Sequence, residues 1–103
     1  MTDVLHIATP AEWAGAQRRG TVAPPSLEAE GFVHCSTRDQ LPGTLARHFA
    51  GAGDLVVLVL DPDAVGDLRW EEPVPGQPPF PHVYNAIPLA AVRSVERVTT
   101  PGG

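Results

Sequence analysis

Histidines on short predicted strands are the residues of this chain best suited to carry chemistry. His34 lies in the run Gly31–Thr37, which reads GFVHCST, and His6 lies in the run VLHIA near the N-terminus. Because a histidine gains or loses its proton near neutral pH, it can act as a general acid, a general base or a donor to a ligand. We expect the two strands to lie close together, so that His6 and His34 face one cleft.

Alternation of side chains along the strand separates His34 from the cysteine that follows it. His34 and Ser36 should share one face with Phe32, while Cys35 points to the other. This pattern predicts a buried, inert thiol rather than a nucleophile beside a histidine. Ser36 would lie at the cleft, although a serine at the end of a strand also suits a helix cap, and the two roles are compatible.

Residues on or after the later predicted strands could complete a site. Glu71 could stabilise a developing positive charge or act as a base, and His82 could assist it. Trp70 and Tyr84 could stack on a flat ligand ring, although packing at the core or its rim is the commoner role of an aromatic residue. The neighbouring Glu72 is interpreted as a solvated strand end.

A metal centre is not expected. Zinc held by His6, His34 and His82 is the conceivable arrangement, but the spacing matches no compact ligand motif and the chain has a single cysteine. The sequence also contains no glycine-rich phosphate loop and no nucleophile elbow.

Composition and charge indicate one globular domain. The chain has 103 residues, of which 43% are hydrophobic and 18% are charged, a balance typical of a folded protein. Residues 1–98 are predicted to form this domain and residues 99–103 a flexible tail. A net charge of −5 with seven basic residues and no basic stripe disfavours general nucleic-acid binding. The same shortage of basic residues argues against an anionic membrane surface.

The cellular location is predicted from the lack of a membrane-spanning run and of a recognisable signal peptide. The longest apolar run, Leu55–Leu60, is too short to span a bilayer, and the N-terminus lacks the features of a signal peptide. A single cysteine cannot form an internal disulfide, so a reducing cytoplasm is expected. The sequence leaves the oligomeric state open.

Turn and capping signals divide the chain into short helices and strands, the pattern of an α+β domain. Thr9 and Glu12 form a capping box at a helix start, and Gly20 suits the end of that helix. A second box pairs Thr37 with Gln40. The remaining predictions are strands at Val4–Ala8, Phe32–Cys35, Asp54–Leu60 (buried on both faces), Leu68–Glu71, His82–Tyr84 and Val92–Val98, a helix at Pro42–Ala50, and helical turns at Ser26–Glu30 and Ile87–Ala91.

Several of these runs together resemble a bacterial family called domain of unknown function 952. The runs that carry the resemblance are Leu5–Thr9, Gly31–Thr37, Asp54–Pro62, Leu68–Glu71 and Pro79–Tyr84. More loosely, the His-x-x-Thr pattern of His6 and Thr9, followed by a helix and then by Phe-Val-His-Cys-Ser, is similar to ADP-ribosyltransferases and RNA 2′-phosphotransferases. That resemblance implies a split, mostly antiparallel small sheet with two or three short helices, and NAD bound in a cleft.

The looser resemblance also implies roles for individual residues. The early histidine would hold the adenosine ribose. His34, Glu71 and His82 would be the catalytic residues, and the third motif position stays open between Glu71, His82 and Tyr84. The residues implied to contact the NAD are His6, Thr9, Ser36, Trp70 and Tyr84.

Two functions follow as hypotheses. The first is a transferase that breaks the bond between nicotinamide and ribose and transfers ADP-ribose, or acts on a related phosphate. The second is a non-catalytic module that uses the same histidine-lined cleft to bind a small polar ligand.

Overall fold

Short antiparallel strands and three short helices make up residues 3–101, the part of the chain that the computed structural model describes. None of these helices has the length and hydropathy needed to span a membrane. In chain order the elements are β1 Val4–Ala8, α1 Pro10–Arg19, β2 Thr21–Val22, α2 Pro25–Glu30, β3 Val33–His34, α3 Leu41–His48, β4 Asp54–Leu60, β5 Leu68–Glu71, β6 Phe80–Val83, β7 Ile87–Pro88, a 3₁₀ turn Leu89–Ala91, and β8 Val92–Thr99.

The apolar strand β4 is the centre of the fold. It lies between β1 and β8 in a three-stranded antiparallel sheet. Because successive side chains point to opposite faces, this one strand supplies two cores, as its continuous apolar sequence predicted. Val56, Leu58 and Leu60 face one core together with Val33, Cys35 and Val83, while Leu55, Val57 and Val59 face the other, which α3 covers with Leu41 and Leu45.

A second three-stranded sheet has the order β3-β6-β5 and meets the first at one point. There Leu5 and Ser36 exchange two backbone hydrogen bonds of 2.8 Å, an isolated antiparallel bridge between β1 and the residues after β3. The short pair β2-β7 forms a third antiparallel unit. The predicted α+β class with a split antiparallel sheet and short helices is therefore confirmed.

The predicted capping signals operate in the folded chain. The Thr9 hydroxyl accepts a hydrogen bond from the Glu12 amide at 3.1 Å, and the Glu12 carboxylate accepts from the Thr9 amide at 3.3 Å. Gly20 ends α1 with φ 87°, a conformation that favours glycine. Thr37 and Gln40 form the second reciprocal pair, one turn before α3.

Several predictions about element bounds were wrong. The strand β3 is Val33–His34 rather than Phe32–Cys35, and β6 is Phe80–Val83 rather than His82–Tyr84. The helical turn predicted at Ile87–Ala91 is confined to Leu89–Ala91, because Ile87–Pro88 pairs with Thr21–Val22 as the strands β7 and β2. The helix α3 begins at Leu41 and ends at His48 rather than covering residues 42–50. Thr99 belongs to β8 and Thr100 is buried, donating its amide to the Gly53 carbonyl at 2.9 Å, so residues 99–100 are not a flexible tail. Residues 102–103 of that predicted tail lie outside the described residues.

Candidate functional site

The outer face of the β3-β6-β5 sheet carries the polar and aromatic side chains, and we call it the histidine face. His34 on β3 lies directly opposite His82 on β6, and Arg69 on β5 lies opposite His82 from the other side. The other face of the same strands presents Val33 and Val83 to the core, each fully buried. Alternation of side chains along the strands thus places the polar and aromatic residues on one face of this sheet and the core residues on the other. The histidine face consists of Phe32, His34, Arg69, Glu71, His82 and Tyr84.

A carboxylate with two donors lies on this face. The Glu71 Oε1 atom accepts a hydrogen bond from the Tyr84 hydroxyl at 2.5 Å and another from His82 Nδ1 at 2.8 Å. These hydrogen bonds, first that from Tyr84 and then that from His82, lower the pKa of Glu71, and the same carboxylate raises the pKa of Tyr84. Glu71 is therefore held ionised, with 40% of its side chain exposed.

The bond to Glu71 also fixes the tautomer of His82. Because a carboxylate oxygen only accepts, Nδ1 carries the proton, and Nε2 of a neutral ring is left as an acceptor. His82 also lines an open cleft next to the histidine face, and its Nε2 has no hydrogen-bond partner among residues 3–101. The ring of Phe32 stacks on it at 4.2 Å between centroids, leaving 12% of the histidine side chain exposed.

His34 is the more open of the two histidines on this face. Its side chain is 54% exposed, and its Nε2 donates to the Glu30 carboxylate at 2.7 Å. The ring centroids of His34 and His82 are 5.5 Å apart. Two imidazoles at this separation, each oriented by its own carboxylate, can act on one bound molecule from adjacent positions.

An open cleft of about 720 Å³ adjoins the histidine face, a volume within the range of small-molecule sites. One wall is β3 and β6 with His34 and His82, and the opposite wall is the C-terminal half of α3. The loop before β6 closes one side. The aromatic and apolar lining consists of Phe32, Phe49, Pro73, Val74 and Phe80. This combination of apolar walls and a few polar groups is typical of a ligand site.

The prediction that His6 and His34 face one cleft was wrong. The Leu5–Ser36 bridge places those two side chains on the same face, so His6 falls on the opposite face with Cys35. His6 is 6% exposed and lies opposite Leu58 in the β1-β4 ladder. Its Nδ1 donates to the backbone carbonyl of His34 at 2.8 Å, and burial lowers its pKa.

Two other predicted site residues, and the neighbouring Cys35, belong to the framework. Thr9 caps α1 with its hydroxyl. Ser36 is 3% exposed and its hydroxyl bonds to that of Thr44 on α3 at 3.1 Å, so it neither caps the helix directly nor faces open cleft. Cys35 is 4% exposed, and burial raises the pKa of its thiol to about 12. The prediction that this thiol is buried is confirmed, and its lack of reactivity stays a prediction.

Trp70 does not join Tyr84. On β5 it lies opposite Pro81, on the face of the sheet away from Glu71, and 44% of it is exposed. Its neighbours across a shallow depression are Thr37, Gln40 and Pro79. Stacking of Trp70 and Tyr84 on the same ligand ring is therefore excluded by the register of β5.

Sequence reasoning missed four residues of the site. Glu30 lies four positions before His34 at the end of α2, and this spacing was the available signal. The Arg69 guanidinium lies 4.2 Å from the centre of the Tyr84 ring and pairs with Asp67 at 2.9 Å. Because Arg69 and Glu71 are two positions apart on β5, the alternation of side chains could have placed them on the same face. Arg47 and His48 line the cleft from the last turn of α3, a position that favours basic residues without any function.

The histidines do not form the conceivable zinc site. His6 faces the core, while His34 and His82 lie on the opposite side of the sheet. Within residues 3–101, no group of three or more histidine, cysteine, aspartate or glutamate side chains is arranged to hold a metal ion.

The fold and the cleft define a small α+β protein with a split antiparallel sheet and a histidine-lined cleft on one side. The chain belongs to the family described as "Protein of unknown function (DUF952)", whose model matches residues 7–95. This confirms the family predicted from the sequence runs.

Solved structures support the fold. The X-ray crystal structure of protein CC0527 from Caulobacter crescentus has a TM-score of 0.84 with this chain, at 32% sequence identity over 93% of this chain and 85% of that chain. The solution NMR structure of CC0527 has a TM-score of 0.76 at the same identity, over 93% and 84% of the two chains. Comparison with curated proteins yields no match. Neither the family description nor these structures assigns an activity or a ligand.

Proposed function

We propose that the protein is an enzyme that binds NAD, or a related nucleotide containing ADP-ribose, in the cleft and breaks its bond between ribose and nicotinamide. The observation that carries the proposal is Glu71, an ionised carboxylate held by Tyr84 and by His82, which lines the cleft together with His34 and His48. The resemblance of two sequence patterns to ADP-ribosyltransferases, that of His6 and Thr9 and the run Phe32–Ser36, supports the same class of reaction.

The chemistry assigned to Glu71 is electrostatic. When the bond between C1′ and the nicotinamide nitrogen breaks, its electron pair leaves with neutral nicotinamide and positive charge develops on the ribose. A carboxylate fixed in place stabilises that charge without reorganising. Oε1 of Glu71 is occupied by two donors, while Oε2 has no hydrogen-bond partner among residues 3–101 and is available to the ribose.

The histidines are assigned the proton transfer. Water or an acceptor hydroxyl forms the new bond to C1′, and its proton passes to His82 Nε2, the free acceptor of that ring. His34 lies 5.5 Å away between ring centroids and can orient the same oxygen or a phosphate. Atoms and charge balance, because the proton lost by the acceptor is held by the imidazole until it reaches solvent.

The direct test replaces the carboxylate. Glu71→Gln keeps the size of the side chain and its ability to accept from Tyr84, but it removes the charge. We expect the rate of nicotinamide release from NAD to fall about hundredfold or more, the usual cost of losing one preorganised charge at a reacting centre. Glu72→Gln is the matched control, because Glu72 is the adjacent carboxylate, exposed and outside the Glu71 cluster.

Binding is tested separately from turnover. A ligand that binds only the native state raises the thermal midpoint, so millimolar NAD and ADP-ribose should each stabilise the protein. If neither compound shifts the midpoint, the proposal fails whatever the Glu71 variant does.

One observation favours a second candidate, a non-catalytic module that binds a small polar ligand. The His82 ring lies beneath Phe32 and is 12% exposed, which restricts its contact with a reacting atom. This candidate predicts that His34→Ala weakens binding without abolishing it and that no NAD-like compound is turned over. Turnover by the unmodified protein rules it out.

A further inference from the structure

The cleft holds one arginine and most of the histidines of this acidic protein. Of its four histidines, His34, His48 and His82 line the cleft, and Arg47 lies among them. The carboxylate that lines it is Glu30, which already accepts a hydrogen bond from His34 at 2.7 Å. With the histidines neutral, the charges of Arg47 and Glu30 balance, so the cleft does not share the negative balance of the chain, whose net charge is −5.

Arg47 is the permanent cation of this group, and its charge is not neutralised. The arginines Arg38, Arg69 and Arg93 each have a carboxylate within 4 Å, but Arg47 has none among residues 3–101. Its Nε has a long contact of 3.5 Å with the Gly43 carbonyl one turn earlier on α3. The guanidinium therefore keeps most of its donors for a ligand, in the planar arrangement that matches phosphate oxygens.

We infer that Arg47, with His48 beside it on α3, forms a phosphate-binding subsite in the cleft, opposite the histidine face. The ligand it would take is a nucleoside diphosphate or another phosphorylated nucleoside. Arg47 would bind the phosphate, and the aromatic lining residues Phe32, Phe49 and Phe80 would contact the ring system of the nucleoside. The phosphate subsite stands on its own observations, whereas the choice of a nucleoside rests on the function proposed above.

A purely structural role for Arg47 predicts a different behaviour. Basic residues in the last turn of a helix offset the partial negative charge of its C-terminus, and Arg47 and His48 are in that turn of α3. In that case replacing Arg47 lowers the thermal midpoint slightly and leaves ligand binding unchanged. Binding and stability must therefore be measured on the same variants.

The experiment compares Arg47→Gln with Arg97→Gln in the full chain. Arg97 is an exposed arginine on β8, outside the cleft, and it also has no carboxylate within 4 Å among the described residues. Each variant removes one positive charge, so their net charges are equal. Calorimetric titration with pyrophosphate, ADP-ribose and adenosine gives the affinities, and thermal unfolding without ligand gives the stability.

We expect ADP-ribose and pyrophosphate to bind the unmodified protein and adenosine to bind far more weakly. Arg47→Gln should weaken both phosphate compounds about tenfold or more, the effect of losing a charge-assisted hydrogen bond, while Arg97→Gln leaves them unchanged. Raising the salt concentration should weaken pyrophosphate binding to the unmodified protein more than to the Arg47 variant.

The outcomes separate the two proposals. Equal binding of ADP-ribose by the unmodified protein and by Arg47→Gln overturns the phosphate subsite and leaves the proposed function standing. Pyrophosphate binding that depends on Arg47, without any binding of ADP-ribose or NAD, supports the subsite and overturns the proposed function. If pyrophosphate, ADP-ribose and NAD all fail to bind, both proposals fail.

Discussion

The two faces of the β1–β3 junction use the same residue type in opposite ways. His6 lies on the inner face, where it is 6% exposed and its Nδ1 donates a hydrogen bond to the backbone carbonyl of His34. The His34 side chain lies on the outer face, 54% exposed and paired with Glu30. One histidine thus stabilises the junction of the two sheets, while the other is available to a ligand. The chemical identity of a residue did not decide its role; the face of the strand did.

The Leu5–Ser36 bridge is what assigns the faces. Because it sets Leu5 opposite Ser36, the residues on either side of this pair are fixed by alternation. A shift of one residue in this register would bring His6 to the cleft and send its neighbours Leu5 and Ile7 into the other core. Since Leu5 is fully buried and Ile7 is 7% exposed, such a shift would cost the packing of α3 against the sheet.

The largest difference between the faces should appear in thiol reactivity. Burial raises the pKa of Cys35 from its ordinary value of 9.0 to about 12, which reduces the thiolate about a thousandfold. Cys35 should therefore react with a maleimide or disulfide reagent only when the protein unfolds. The matched variant combines Cys35→Ala with His34→Cys, which moves the single thiol one position along β3 to the exposed face. Rapid labelling of native Cys35, or equal rates in the two proteins, would contradict the assignment of faces.

Removing the side chain of His6 should lower the free energy of unfolding far more than removing that of His34. His6→Ala leaves a cavity in the core and an unpaired His34 carbonyl, so the free energy of unfolding should fall by about 2–4 kcal/mol. His34→Ala removes an exposed side chain and should change it by less than about 0.5 kcal/mol. His6→Asn places an amide near Nδ1 and should recover part of the loss. Denaturant titration measures all three, and a larger effect at His34 would reverse the comparison.

Acid should destabilise the protein through the inner histidine. Burial lowers the pKa of folded His6 below its ordinary value of 6.5, against a smaller opposite effect of the bond to His34. The unfolded chain then binds more protons, so this stability is complete above pH 6.5 and is lost as pH falls through the folded pKa. The slope for one proton is at most about 1.4 kcal/mol per pH unit. The unmodified protein should lose stability more steeply than His6→Asn below pH 6.5, and parallel curves would refute this.

The sequence was sufficient where a signal is local. The continuous apolar run of β4, the Thr9–Glu12 box and the alternation that buries Cys35 each depend on residues within one element. The relation of His6 to His34 depends instead on a backbone bridge between residues 31 positions apart, and no local pattern encodes that register.

The same limit applies to the site. Glu71, His82 and Tyr84 were each candidates, but the shared oxygen that joins them depends on the register between β5 and β6. Trp70 was assigned to the same ligand ring as Tyr84 because the position of Pro81 opposite it was unknown. The spacing of Val92 and Val95 in β8 has a similar cause, because a register shift at Val59 and Leu60 places both valines on one face of the sheet. Val98 lies opposite Leu55, on the other face.

The smallest expected effect concerns the hydrogen bonds on the outer face. The Tyr84 hydroxyl is the first cause of the lowered pKa of Glu71, so Tyr84→Phe should raise that pKa toward its ordinary value. His82 remains as the second donor, so the rise should be partial. A titration followed by NMR of the Glu71 carboxyl carbon measures it, with Phe32→Leu as a control that alters the ring packing but no donor. The pKa of Tyr84 is itself raised by Glu71, so Glu71→Gln should lower it. Since both groups are partly open to solvent, the free energy of unfolding should change little. A large loss of stability in Tyr84→Phe would mean that this cluster supports the fold as His6 does.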